Sequence, residues 1–143
     1  MPSYEEMTAN NLLFKMLDEP ARQKVIQLAQ KQKYRKGDMI IKQGSSGQDI
    51  FLLIRGKVEV EITQEGLIVE LNTLEPGRIF GEVAEVKKVL RTASVKALEE
   101  VKVLRFPGEL LVAELRKHPT ANKLLEHIVA HRTKDAIKKT FGE

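Results

Sequence analysis

"IFLLIRGKVEVEIT", residues 50–63, decides how this chain folds. Its first half is a run of large apolar residues that ends at Gly56. In its second half Val58, Val60 and Ile62 alternate with Lys57, Glu59 and Glu61. A period of two belongs to a strand with one face on a core and the other in water. The same grammar runs outward in both directions. Glycines at 37, 44, 47, 56, 66, 77 and 81 punctuate short runs rich in β-branched residues: "MIIKQ", "LIVELN", "TASVKAL" and "VKVLRF". "TQEGL", residues 63–67, has the residues of a hairpin turn. Short strands at such regular spacing predict a small antiparallel roll over 32–106.

Helical spacing takes over on both flanks. Leu12, Leu13, Met16 and Leu17 recur at intervals of three and four, and so do Val25, Ile26, Leu28 and Ala29. Asp18-Glu19-Pro20 between them reads as a cap and a restart, giving two short helices within 1–31. After Phe106, Pro107 opens a helix that "GELLVAELRKH" carries to about His118. Pro119 then sets off a last helix with an apolar stripe of Ala121, Leu124, Leu125, Ile128 and Val129, extended by Ile137 and Phe141. The expected fold is α+β, one domain over 1–143. It is an antiparallel β-roll (a double-stranded β-helix, jelly-roll-like) flanked by N-terminal helices and by C-terminal helices over 107–143.

Composition narrows the function. The 143 residues are 42% hydrophobic and 31% charged, which suits a solvated fold with a real core. There is no cysteine, so disulfides, zinc-thiolate sites and thiol nucleophiles are excluded. The polar start "MPSYEEMTANN" lacks the pattern of a signal peptide, and no apolar run reaches the roughly 18 residues of a membrane span. A cytoplasmic protein with no membrane partner is expected. Residues 116–143 carry seven Lys and Arg against three acids, which equals the whole net charge of +4. With acids interspersed, this reads as a solvated helix face before it reads as a nucleic-acid surface.

The chemistry concentrates in "FGEVAEVKKVLRTAS", residues 80–94. A single helical turn beginning at Gly81 would point unpaired N–H groups forward, and such an end favours an anion. Arg91 adds a planar fork of donors for phosphate oxygens, and Thr92 a hydroxyl beside it. Glu82 repels phosphate, but it can accept from a sugar hydroxyl. Acid, arginine and helix amides together describe a nucleotide with one compact negative charge. A P-loop and a carboxylate cluster for magnesium are both absent, which argues against a triphosphate.

These residues resemble the phosphate-binding cassette of the cyclic nucleotide-binding domains found in catabolite-activator-type regulators, cyclic-nucleotide-gated channels and kinase regulatory subunits. The cassette reads Phe80-Gly81-Glu82-Val83-Ala84, then Arg91-Thr92-Ala93 at the family's spacing. The glycines of "KGD", "QGSSGQD", "FLLIRGKVEV" and "LEPG" match its framework, so the resemblance covers nearly the whole chain. It implies that Glu82 accepts from the ribose 2′-hydroxyl and that Arg91 pairs with the cyclic phosphate, helped by N–H groups near Val83 and Ala84. It implies that Val60 and Leu71 line the base pocket, and that the last helix, near Leu125 to Val129, closes over the base. The ligand it implies is cAMP, or cGMP, which Thr92 leaves open. Glu85 stands where the family has an apolar residue, near the phosphate end, and Leu90 where it commonly has proline.

The implied protein is a sensor or regulatory module, not an enzyme, with no cofactor beyond its ligand. Its signal is expected to pass to an unidentified effector protein or through self-association, because the chain lacks the extra helices of a helix-turn-helix. Two other readings stand beside it: a ligand-free interaction module, and a nucleic-acid binder using the basic last helix. His127 and His131 lie four apart on that helix, but two ligands do not make a metal site. All three histidines fall at or beyond 118, outside the roll, which argues against a cupin-type metalloenzyme.

Overall fold

The computed structural model describes residues 11–141. In chain order its elements are α1 (Leu12–Lys15), α2 (Glu19–Leu28), β1 (Gln30–Tyr34), β2 (Met39–Ile41), β3 (Ile50–Arg55), β4 (Val58–Gln64) and β5 (Leu67–Leu74). There follow β6 (Ile79–Phe80), α3 (Glu82–Lys87), β7 (Ser94–Ala97), β8 (Val101–Phe106), α4 (Gly108–Arg116) and α5 (Pro119–Phe141). The strands form two antiparallel four-stranded sheets, ordered β1-β8-β3-β6 and β2-β7-β4-β5. This is the expected α+β roll with flanking helices.

The two sheets pack differently, and the sequence patterns follow. Strands β3 and β8 are covered on both faces. Ile50, Leu52, Leu104 and Phe106 meet the helices, in a core with Phe14, Val25, Leu111, Leu115, Leu125 and Val129. Phe51, Leu53, Val101 and Val103 turn into the roll against Ile41, Val58, Leu74, Phe80 and Val95. Burial on both faces is why "IFLLI" and "VKVLRF" read as runs rather than alternations. Strand β4 departs from its expected pattern. Val58 is buried, but Val60 and Ile62 are only half-buried and face a cavity, while Glu61 on the supposed wet face is nearly covered, 3.9 Å from Lys96. A bulge between Val60 and Glu61 accompanies this change.

The connections obey their local chemistry. Asn11 caps α1 by accepting from the Leu13 N–H at 2.9 Å, and its amide donates to Gly77 O at 2.8 Å. Asp18 caps α2 by accepting from the Ala21 N–H at 2.9 Å, and Pro20 sits in the first turn as expected. The β4–β5 hairpin turns through Glu65 and Gly66, both at positive φ. The helical reading to residue 31 is too long. Ala29 is already extended, and Gln30 pairs with Arg105 as β1 begins. "QKQKY" has no apolar face of its own, so β8 recruits it as an edge strand. The reading of residues 1–10 lies outside the described residues.

Candidate functional site

A cavity of about 310 Å³ opens between the β4–β5 side of the roll, α3 and the end of α5. That volume lies in the range of small-ligand sites. Its walls include all ten residues singled out from the sequence: Val60, Leu71, Phe80, Gly81, Glu82, Val83, Ala84, Arg91, Thr92 and Ala93. The two wings of the cassette therefore meet in space as well as in the chain.

Gly81 makes this local geometry. It stands before α3 at φ 90°, in the left-handed region where side chains strain the backbone. A Cβ there would lie 2.8 Å from Asp49 O and 3.1 Å from Nη1 of Arg91. The glycine thus lets the cassette arginine come against the backbone. Nη1 of Arg91 donates to Gly81 O and Nη2 to Asp49 O, both at 2.8 Å. Two of the five guanidinium N–H donors are spent in holding the fork, leaving three for an anion. Arg91 is only 7% exposed. Burial lowers its pKa, and the negative charges of Asp49, Glu82 and Glu85 oppose that. A guanidinium is so strong a base that it stays charged all the same.

Glu82 is fully buried, and it does not pair with Arg91. Its partner is Arg132 of α5, which donates to Oε1, while the other end of the same guanidinium donates to Ile79 O at 2.6 Å. Oε2 of Glu82 is buried and has no hydrogen-bond partner among the described residues. A carboxylate oxygen in that state calls for a donor, and a ligand hydroxyl is one. The cassette acid and arginine are therefore both buried, and each is held by other partners rather than by the other.

Other readings from the sequence change. Glu85 is 2% exposed, but it does not line the cavity. Its Oε1 accepts from Lys88 at 2.5 Å, and its Cγ lies against Gly108 at the start of α4. Leu90 is exposed and lies off the cavity wall. The lid is also misplaced in the sequence reading. Leu125 and Val129 belong to the core against β3 and β8, and the part of α5 on the cavity is Arg132, Thr133, Asp135, Ala136 and Ile137. Arg132 and Lys139 were counted among the solvated cations. Both fold back onto the roll, Lys139 donating to Leu71 O and pairing with Asp135 at 3.2 Å. The pairs 132/136 and 133/137, four apart on one helix, were the available signal.

Residues 31–118 match the cyclic nucleotide-binding domain family. Over 126 residues, 88% of its length, the chain is 30% identical to the cAMP-dependent protein kinase regulatory subunit of Schizosaccharomyces pombe, of which it spans 27%. Over 139 residues, 95% of its length, it is 32% identical to cGMP-dependent protein kinase 2 of Homo sapiens, of which it spans 18%. Among solved structures, the catabolite activator protein of Thermus thermophilus superposes with a TM-score of 0.75 at 30% identity, over 87% of this chain and 59% of that one. The chain spans about a quarter or less of the length of these curated relatives. On the family match and these identities, the chain belongs to the cyclic nucleotide-binding domain family.

Proposed function

We propose that this chain senses a cyclic nucleotide, held in the cavity between the cassette and α5. The observation that carries the reading is the unpartnered Oε2 of buried Glu82, in the same cavity as the braced guanidinium of Arg91. The ribose 2′-hydroxyl donates to Glu82 and the cyclic phosphate takes the free donors of Arg91. The Val83 and Ala84 N–H groups, in the first turn of α3, add to the phosphate. The base lies along Val60 and Leu71, under Ala136 and Ile137. The basic helix offers less to nucleic acid than its sequence promised, because Arg132 and Lys139 are engaged with the roll.

cAMP is the first ligand to test. cGMP is the second reading, favoured by Asp135 and Thr92 on the cavity wall. A guanine offers two adjacent donors to one carboxylate, whereas an adenine offers only its amino group. Output follows from a population shift: the ligand favours the arrangement in which α5 is closed on the roll, by its differential affinity for that arrangement. An effector protein, or a second copy of the chain, reads the change.

The test is calorimetric titration of cAMP and cGMP into the wild type and into Arg91→Ala. One charge-assisted hydrogen bond is worth about 1.5–3 kcal/mol, so the substitution should weaken binding about ten- to a hundredfold. No heat with either nucleotide, or binding indifferent to Arg91, sinks the reading.

A further inference from the structure

Asp49 stands between two arginines. Its main-chain oxygen accepts from Arg91 at 2.8 Å, and its carboxylate accepts from Nε of Arg105 at 2.5 Å. Arg105 lies on β8, paired with Phe51 of β3 on one side and Gln30 of β1 on the other. Its Nη1 reaches Gln32 at 3.4 Å. Asp49 immediately precedes β3, so the ion pair ties the entry of that strand to its neighbour. Both side chains are partly exposed, Arg105 at 42%, so the pair itself adds little to folding stability. What it does is decide where the Asp49 carboxylate points. Of the charges acting on Arg91, Asp49 acts most strongly, ahead of Glu82 and Glu85.

Resting on the nucleotide reading above, we propose that Arg105 is a positioning residue for the phosphate site: it holds the Asp49 carboxylate away from Arg91, where that carboxylate would otherwise take the place of the ligand's anion. The main-chain oxygen of Asp49 braces the arginine at 2.8 Å, so its carboxylate hangs from a backbone already against Arg91. Arg105 keeps the first role and suppresses the second. The arrangement makes the strength of phosphate binding depend on a residue outside the cavity.

The experiment compares four proteins by calorimetry with cAMP and cGMP, and by thermal unfolding without ligand: wild type, Arg105→Gln, Arg105→Lys, and Arg105→Gln with Asp49→Asn. Freeing the carboxylate should weaken nucleotide binding about tenfold, the scale of one charge-assisted contact. Lysine at 105 should keep most of the affinity. The added Asp49→Asn should restore it, because the amide carries no charge and the main-chain brace is untouched. The thermal midpoint without ligand should barely move among the four. Arg105→Gln binding as the wild type does, a double variant no better than Arg105→Gln, or a midpoint that falls in step with affinity would each overturn the proposal. Failure of the wild type to bind either nucleotide overturns the nucleotide reading itself and this proposal with it, a result visible before any substitution is made.

Discussion

Glu82 commits only one of its two carboxylate oxygens within the protein. Oε1 accepts from Arg132 of α5, and Oε2 is buried with no hydrogen-bond partner among the described residues. A charge buried this deeply needs both partners, because an unpaired lone-pair set in a dry site costs about 1–3 kcal/mol or more. The division gives a prediction about the ligand rather than the protein. Removing the 2′-hydroxyl, as in 2′-deoxy-cAMP, should weaken binding to the wild type about tenfold or more, the scale of a hydrogen bond to a charged group. In Glu82→Gln the gap between cAMP and its 2′-deoxy form should shrink, since a neutral amide gains less from that hydroxyl. Competition titrations with both ligands and both proteins check it. An undiminished gap in the variant would place the ribose elsewhere. At this scale the sequence was highly legible for the cassette, where residue type and spacing state the chemistry directly. It was poor for Arg132, whose charge alone looks the same on a solvated face as in an ion pair with a buried acid.

Elements were legible in proportion to how much apolar surface they bury. The residues read from "VKVLRF" are the bounds of β8, because a strand buried on both faces writes itself as an apolar run. Edge strand β1 and the two-residue β6 were missed, since pairing with a neighbour makes them strands and their own side chains do not. The stripe read on α5 is dense to Val129 and then thins to Ile137 and Phe141 for the same reason. Periodicity reports burial against protein, and past that point the helix faces a cavity. Between α2 and α4 the structure adds a polar clasp that no periodicity announces. Glu114 is nearly buried and faces Lys117 at 3.1 Å and Lys24 of α2 at 3.5 Å. The hydrogen bond from Lys117, aided by the charge of Lys24, lowers its pKa below the ordinary 4.5, against the opposing effect of burial. A lowered carboxyl holds fewer protons folded than unfolded. Its stabilisation is therefore complete above 4.5 and is lost as pH falls through the lower, folded value. Urea unfolding of the wild type and Glu114→Gln across this window should show a steeper acid loss in the wild type. Parallel curves would mean the clasp has no pH-linked role.

At the scale of the whole molecule, α5 does two jobs along 23 residues. Ala121, Leu125 and Val129 hold the core shared by the helices and the β3–β8 face, while Arg132, Ala136 and Ile137 wall the cavity. Ile137 is 52% exposed even on that wall, so its apolar surface has more to gain from a base laid against it than from the protein alone. The two jobs meet between Val129 and Arg132, which makes the division testable by cutting there. A chain ending at residue 131 keeps the helical core contacts and loses the lid. It should fold, with its thermal midpoint without ligand lowered by several degrees, because Glu82 loses its ion pair to Arg132 while gaining access to water. Its nucleotide affinity should fall about ten- to a hundredfold, because burying one large aliphatic side chain contributes about 1.5–3 kcal/mol and Ile137 is gone along with the brace on Glu82. Amide hydrogen exchange on the intact chain supplies the converse. Amides at 132–141 should exchange more slowly once nucleotide is bound, since opening of the helix end then costs the contacts to the base as well. Unchanged exchange there, with full affinity in the shortened chain, would show that the helix end rests on the roll without gripping the ligand, and the switch would have to be sought in α3.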